Sequence, residues 1–123
     1  MSFNMCTNLY VEDVKAEADF FEAIGFYVVS RQKVGGAETI LLAPTRKGNA
    51  RLQVWPIELI RQMSPEVADS KPSILFTITD GIEAMRTKVL TQGLTTSTIT
   101  KRGENLTFNF ESPSGTYFAF MQI

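Results

Sequence analysis

The chain contains no histidine. Imidazole is the commonest metal ligand and the usual acid-base group near neutral pH, so its absence excludes many catalytic designs at once. A single cysteine, Cys6, excludes a disulfide within the chain and fits a reducing, cytoplasmic setting. No apolar run approaches the roughly 18 residues of a membrane span. The opening MSFNMCTN also lacks a basic region leading into an apolar one. Neither sign of charge is in excess: 12 Lys+Arg stand against 13 Asp+Glu, a formal charge of -1. The cations are dispersed rather than striped, which argues against nucleic acid as a partner. What remains is 44% hydrophobic and 20% charged over 123 residues, the composition of a soluble globular chain of about one domain, large enough to bury a core.

The most informative presence is a repeat. Leu9 to Gly25 reads LYVEDVKAEADFFEAIG, and Leu75 to Gly93 reads LFTITDGIEAMRTKVLTQG. In each, a mostly apolar and β-branched run reaches an aspartate, Asp13 or Asp80, and an amphipathic, helix-length segment then stops at a glycine. The aspartates lie 67 residues apart and the glycines, Gly25 and Gly93, lie 68 apart. A spacing that holds across a strand, a cap and a helix points to a duplicated supersecondary module.

Taken in order, residues 5–11 read as a strand, and Asp13 is placed to cap a helix over about 14–24. Ala16, Phe20 and Ile24 form its expected apolar stripe, with Phe21 beside it. Strands are predicted at 26–32 and 38–43 around the Gly35-Gly36 turn, and at 50–55 beyond the polar loop 45–49. Pro56 opens a short helix over about 57–63, and 64–72 links the halves. The second half repeats the order. A strand over 73–79 leads to Asp80 and Glu83, a capping-box-like pair. The following helix, about 82–92, should bury Ile82, Met85 and Val89. Strands at 95–101, 105–111 and 116–123 complete it. The expected fold is α+β within one domain, 1–123: two tandem β-α-β-β-β modules, about 5–63 and 73–123, forming curved mixed sheets around a shared concave groove.

Period-two alternation assigns Leu9, Val11, Leu52 and Val54, then Phe76, Phe108, Phe110, Phe118 and Phe120, to the faces under the helices. The opposite faces carry Tyr10, Gln53, Trp55, Asn109, Tyr117 and Met121. Aromatic walls with a few hydrogen-bonding groups are the usual makeup of a small-molecule pocket.

This pattern resembles the glyoxalase, bleomycin-resistance and extradiol-dioxygenase group, the vicinal oxygen chelate superfamily. LYVEDV, the FF pair and the IGF helix ending carry the resemblance, together with the closing FESPSGTYFAF, where SPSG replaces the family's common aspartate-proline-aspartate-glycine turn. The resemblance implies four metal-ligand positions, in the first and fourth strands of each module. Here they fall at Cys6, Gln53, Ser73 and Ala119, a degenerate set: alanine gives no donor, serine a weak one, glutamine a neutral one. No cofactor is therefore expected.

The resemblance to the metal-free bleomycin-resistance branch implies a metal-independent binding protein that sequesters an aromatic or cationic small molecule. Tyr10, Trp55 and Tyr117 would stack on it, Arg51, Gln53 and Asn109 would orient it, and Met121 would fill gaps. Members of that branch form homodimers, so a homodimer is expected. One alternative is an enzyme of the same family, a lyase, isomerase or oxygenase, with Glu111 as base and Cys6 as nucleophile. A lone strand cysteine otherwise reads as a small buried hydrophobe. Another alternative is a dimeric interaction module whose concave face is covered by its partner and binds no ligand.

Overall fold

The computed structural model describes residues 2–123, in two compact units that divide between Pro72 and Ser73. The first holds β1 (Thr7–Val11), α1 (Val14–Ala23), β2 (Tyr27–Val34), β3 (Ala37–Ala43), β4 (Leu52–Pro56) and α2 (Ile57–Met63). The second holds β5 (Ile74–Ile78), α3 (Ile82–Thr91), β6 (Thr100–Arg102), β7 (Asn105–Glu111) and β8 (Tyr117–Gln122). Each half builds one four-stranded mixed sheet, in the order β1-β4-β3-β2 and β5-β8-β7-β6. In both, the first strand runs parallel to the last, as a connection through a helix requires, while the hairpin strands pair antiparallel. The chain is thus α+β and built of two tandem modules.

Local chemistry explains the helix ends of the first half. Asp13 Oδ1 accepts the Ala16 amide at 3.0 Å, the expected side-chain cap. At the other end, Phe26 N donates to Phe21 O at 2.9 Å and Gly25 N to Glu22 O at 3.1 Å. Gly25 adopts φ +116, outside the range open to residues with a Cβ. This is a Schellman ending, sealed by the Phe21 and Phe26 rings at 4.9 Å.

The expected stripe of α1 holds at Phe20 and Ile24, with Phe21 beside it, all three buried. Val14, Ala18 and Phe21 point inward with Phe20, while Ala16 is only half-buried. Glu17 lies at the centre of that stripe and is fully buried.

Helix α3 starts differently from expectation. Gly81, at φ +79, is the N-cap, and neither Asp80 nor Glu83 caps the helix. The Ile82 amide instead donates to Gln122 Oε1 at 3.1 Å, so the last strand caps the helix. The strand expected at 95–101 shrinks to β6 and one bridge between Thr96 and Phe110.

Alternation holds on both sheets. Leu9, Val11, Leu52 and Val54 are buried beneath α1. Beneath α3 lie Phe108, Phe110, Phe118 and Phe120, with Phe76 half-buried. Phe108 pairs with Phe120 and Phe110 with Phe118 across the strands. Neighbouring rings sit 5.2–6.1 Å apart, within the range where aromatic pairs attract beyond their buried area.

Candidate functional site

A single buried hydroxyl fixes the same frame in both halves. In the first, Thr39 Oγ1 on β3 donates to Val54 O on β4 at 2.8 Å. In the second, Thr107 Oγ1 on β7 donates to Phe120 O on β8 at 2.9 Å. The register makes these equivalent, since Ile40 pairs with Val54 as Phe108 pairs with Phe120. With the frames matched, a row of side chains on each helix-free face corresponds position by position. In the first half Asn8, Gln53 and Leu41 stand side by side on β1, β4 and β3. In the second the row is Leu75, Ala119 and Asn109 on β5, β8 and β7.

The first row is spent on itself. Gln53 Nε2 donates to Thr39 Oγ1 at 3.0 Å, and Trp55 Nε1 donates to Asn8 Oδ1 at 3.0 Å. Tyr10 pairs with Trp55 across the strands, so these two expected stacking residues do adjoin. Arg51, expected to orient a ligand, precedes β4, and its Nη1 donates to Gly48 O at 3.0 Å and Ala50 O at 2.9 Å. Its guanidinium is thus engaged by its own loop. Alternation puts Asn8 on this face too, but Thr39 was missed by sequence reasoning, and only the structure shows that they partner Trp55 and Gln53.

The second row opens into a hollow of about 360 Å³. Where the first half places Gln53, this half has Ala119, and the shortened side chain leaves a floor between Leu75 and Asn109. Tyr117 forms a wall and Ser73 stands at the edge. Leu75 is 50% exposed and Tyr117 66%, so both present their surface to solvent. Asn109 and Tyr117 thus line the same hollow, while Met121 lies two pairs along, where Asn105 Nδ2 reaches its sulfur at 3.7 Å.

Of the two candidate catalytic groups, Glu111 is half-buried at the end of β7, opposite Tyr117, with its carboxylate over the turn at Gly115. Cys6 is exposed, a correction to its reading as a buried hydrophobe, because it precedes β1 rather than lying within it. Its Sγ donates to Thr7 O at 3.7 Å. Desolvation still raises the thiol above its ordinary pKa, outweighing the hydrogen bond from the Gln53 backbone and the charge of Arg51.

The metal-ligand positions implied by the fold do not fit a metal. The second half offers the Ser73 hydroxyl and no donor at Ala119. The first offers the lone Cys6 thiol and an amide at Gln53 already bonded to Thr39. Among the described residues no cluster of three or more Cys, Asp or Glu side chains could hold an ion. Nor, among these residues, is any helix long and apolar enough to cross a membrane.

No sequence-family profile and no curated protein matches the chain. Solved structures do. An antibiotic-binding protein from a Streptomyces species superposes with a TM-score of 0.79 at 19% identity, over 99% of this chain and 96% of that one. A glyoxalase/bleomycin-resistance/dioxygenase superfamily member from Sphaerobacter thermophilus gives 0.77 at 14%, over 100% and 98%. A lactoylglutathione lyase from Agrobacterium tumefaciens gives 0.74 at 15%, over 99% and 94%. Taken with the duplicated modules and their matched rows, these likenesses establish that the chain has the fold of the glyoxalase/bleomycin-resistance/dioxygenase superfamily.

Proposed function

We propose that the chain binds a small planar aromatic molecule without the help of a metal ion. The observation that carries this is the hollow on the second sheet, where Leu75 and Tyr117 present apolar and aromatic surface beside Asn109 and Ser73. Its volume, about 360 Å³, falls within the range of ligand sites. The likeness to an antibiotic-binding protein supports binding as the activity, whereas the raised pKa of Cys6 weighs against a thiolate nucleophile. The exposed thiol also accords with a reducing cytoplasm.

Ala119→Gln tests the site. It restores at the second sheet the side chain that the first sheet carries, and it fills the floor of the hollow. A panel of aromatic compounds that raises the melting temperature of the wild-type protein should have no such effect on this variant. An unchanged ligand response would place binding elsewhere.

The reading includes a homodimer. Phe3 and Met5, 85% and 87% exposed, offer apolar surface that a second copy would cover. Sedimentation at micromolar concentration checks this, and a monomer would remove the dimer from the proposal.

A further inference from the structure

The two helix-free faces differ in how their polar groups are occupied. On the first, Gln53, Trp55, Asn8 and Arg51 are all committed to hydrogen bonds with their neighbours. On the second, the side-chain amide of Asn109, the hydroxyl of Ser73 and the phenol of Tyr117 make no hydrogen bond to any described residue. A polar group that bonds only water exchanges it for a ligand at small cost, while a committed pair must first be broken.

Asn109 is also held in place from behind. Ser97 N donates to Asn109 O at 2.8 Å, and Asn109 N donates to Ser97 Oγ at 2.9 Å, a two-bond clasp on one residue. Ser97 is in turn tied to α3, where Arg86 Nε donates to Ser97 O at 2.9 Å and to Thr96 Oγ1 at 3.0 Å. The amide therefore projects from a strand position fixed on both sides. Such fixing of the backbone narrows the positions its side-chain amide can reach, so a ligand must bring its partners to a defined place.

No ionised side chain lines the hollow. Glu111, the nearest acid in register, turns its carboxylate over Gly115 at the strand end. An ionic ligand would gain no counter-charge from its lining.

We infer that Asn109 is the specificity-determining residue of this site, that it selects an uncharged planar aromatic carrying both a hydrogen-bond donor and an acceptor, and that Ser97 positions it. The inference rests on the proposed binding function and narrows its planar aromatic ligand to an uncharged one.

Three probes of matched ring size test it: naphthalene-2-carboxamide, naphthalene-2-carboxylate and naphthalen-2-ylmethylammonium. Each is titrated against the full chain while the side-chain NH2 resonances of Asn109 are followed by NMR. The carboxamide should shift those resonances saturably and bind about tenfold tighter than either ion. Asn109→Asp keeps the shape but replaces the donor with a negative charge. It should cost the carboxamide about tenfold and invert the preference toward the ammonium. Ser97→Ala should weaken the carboxamide, and Ser97→Thr, which keeps the hydroxyl, should restore it. If an ion binds the wild-type protein best, or if the carboxamide binds without moving Asn109, the inference fails while aromatic binding stands. If none of the three saturates, both fail.

Discussion

Removing the two helix caps should destabilise the protein unequally, and in an order opposite to what their sequence separation suggests. Asp13 caps α1 from three residues away, whereas Gln122 caps α3 from forty residues away. Loss of a side-chain cap costs about 1 kcal/mol, within a range of roughly 0.5–2. Where a structure falls in that range depends on whether water can replace the lost acceptor. Asp13 is exposed, so in Asp13→Ala water reaches the freed amide and the cost should stay near about 0.7 kcal/mol. Ile82, whose amide Gln122 accepts, is 2% exposed. In Gln122→Met, which keeps the length and unbranched shape but offers only a weak sulfur acceptor, that donor is left nearly dry, and the cost should rise to about 1.5 kcal/mol. For a chain of this length the latter corresponds to a fall in melting temperature of about 6 °C. Urea unfolding measures both variants, with midpoints lowered and slopes unchanged. Hydrogen exchange at the Ile82 amide should accelerate in Gln122→Met and remain unaltered in Asp13→Ala. If Asp13→Ala costs as much as Gln122→Met, or if exchange at Ile82 does not respond, the long-range cap contributes nothing and the argument from burial is wrong.

Two further outcomes follow from the chemistry of the sites. Because the folded state raises the pKa of Cys6, less thiolate is present at a given pH, so iodoacetamide should label the native protein more slowly at pH 8 than it labels the urea-unfolded chain. Arg51→Leu removes a cation that lowers this pKa and should slow native labelling further; faster labelling would reverse the assigned sign. Added nickel or zinc should produce no lactoylglutathione-lyase turnover, since Ser73 and Ala119 give the second half no strong ligand, and metal-stimulated activity would overturn that reading.

Local rules made much of the fold legible. Period-two runs located the strands, and Asp13 with Gly25 marked both ends of α1, because each acts through bonds to residues within a few positions of itself. Features that depend on remote partners were not legible. Asp80 and Glu83 have the spacing of a capping box, but the left-handed Gly81 intervenes and the acceptor comes from Gln122 on another strand. On α1 the spacing gave Phe20, Phe21 and Ile24, but not the buried Glu17, because hydropathy alone turns a carboxylate outward. Residues 95–99 have strand-like composition, yet Ser97 is drawn into the clasp with Asn109 and the bond from Arg86. Residue types singled out Tyr117 and Asn109, which line one hollow. They also singled out Arg51, whose side chain is turned onto the loop carbonyls just before it.

The threonine bond repeated at Thr39 and Thr107 gives this protein an internal yardstick. Since both sheets are pinned by the same hydroxyl at the same address, a side chain transplanted from one address to its counterpart arrives on an equivalent scaffold, and any change in its behaviour reports the local surroundings alone. The comparison is made within one chain and needs no second molecule.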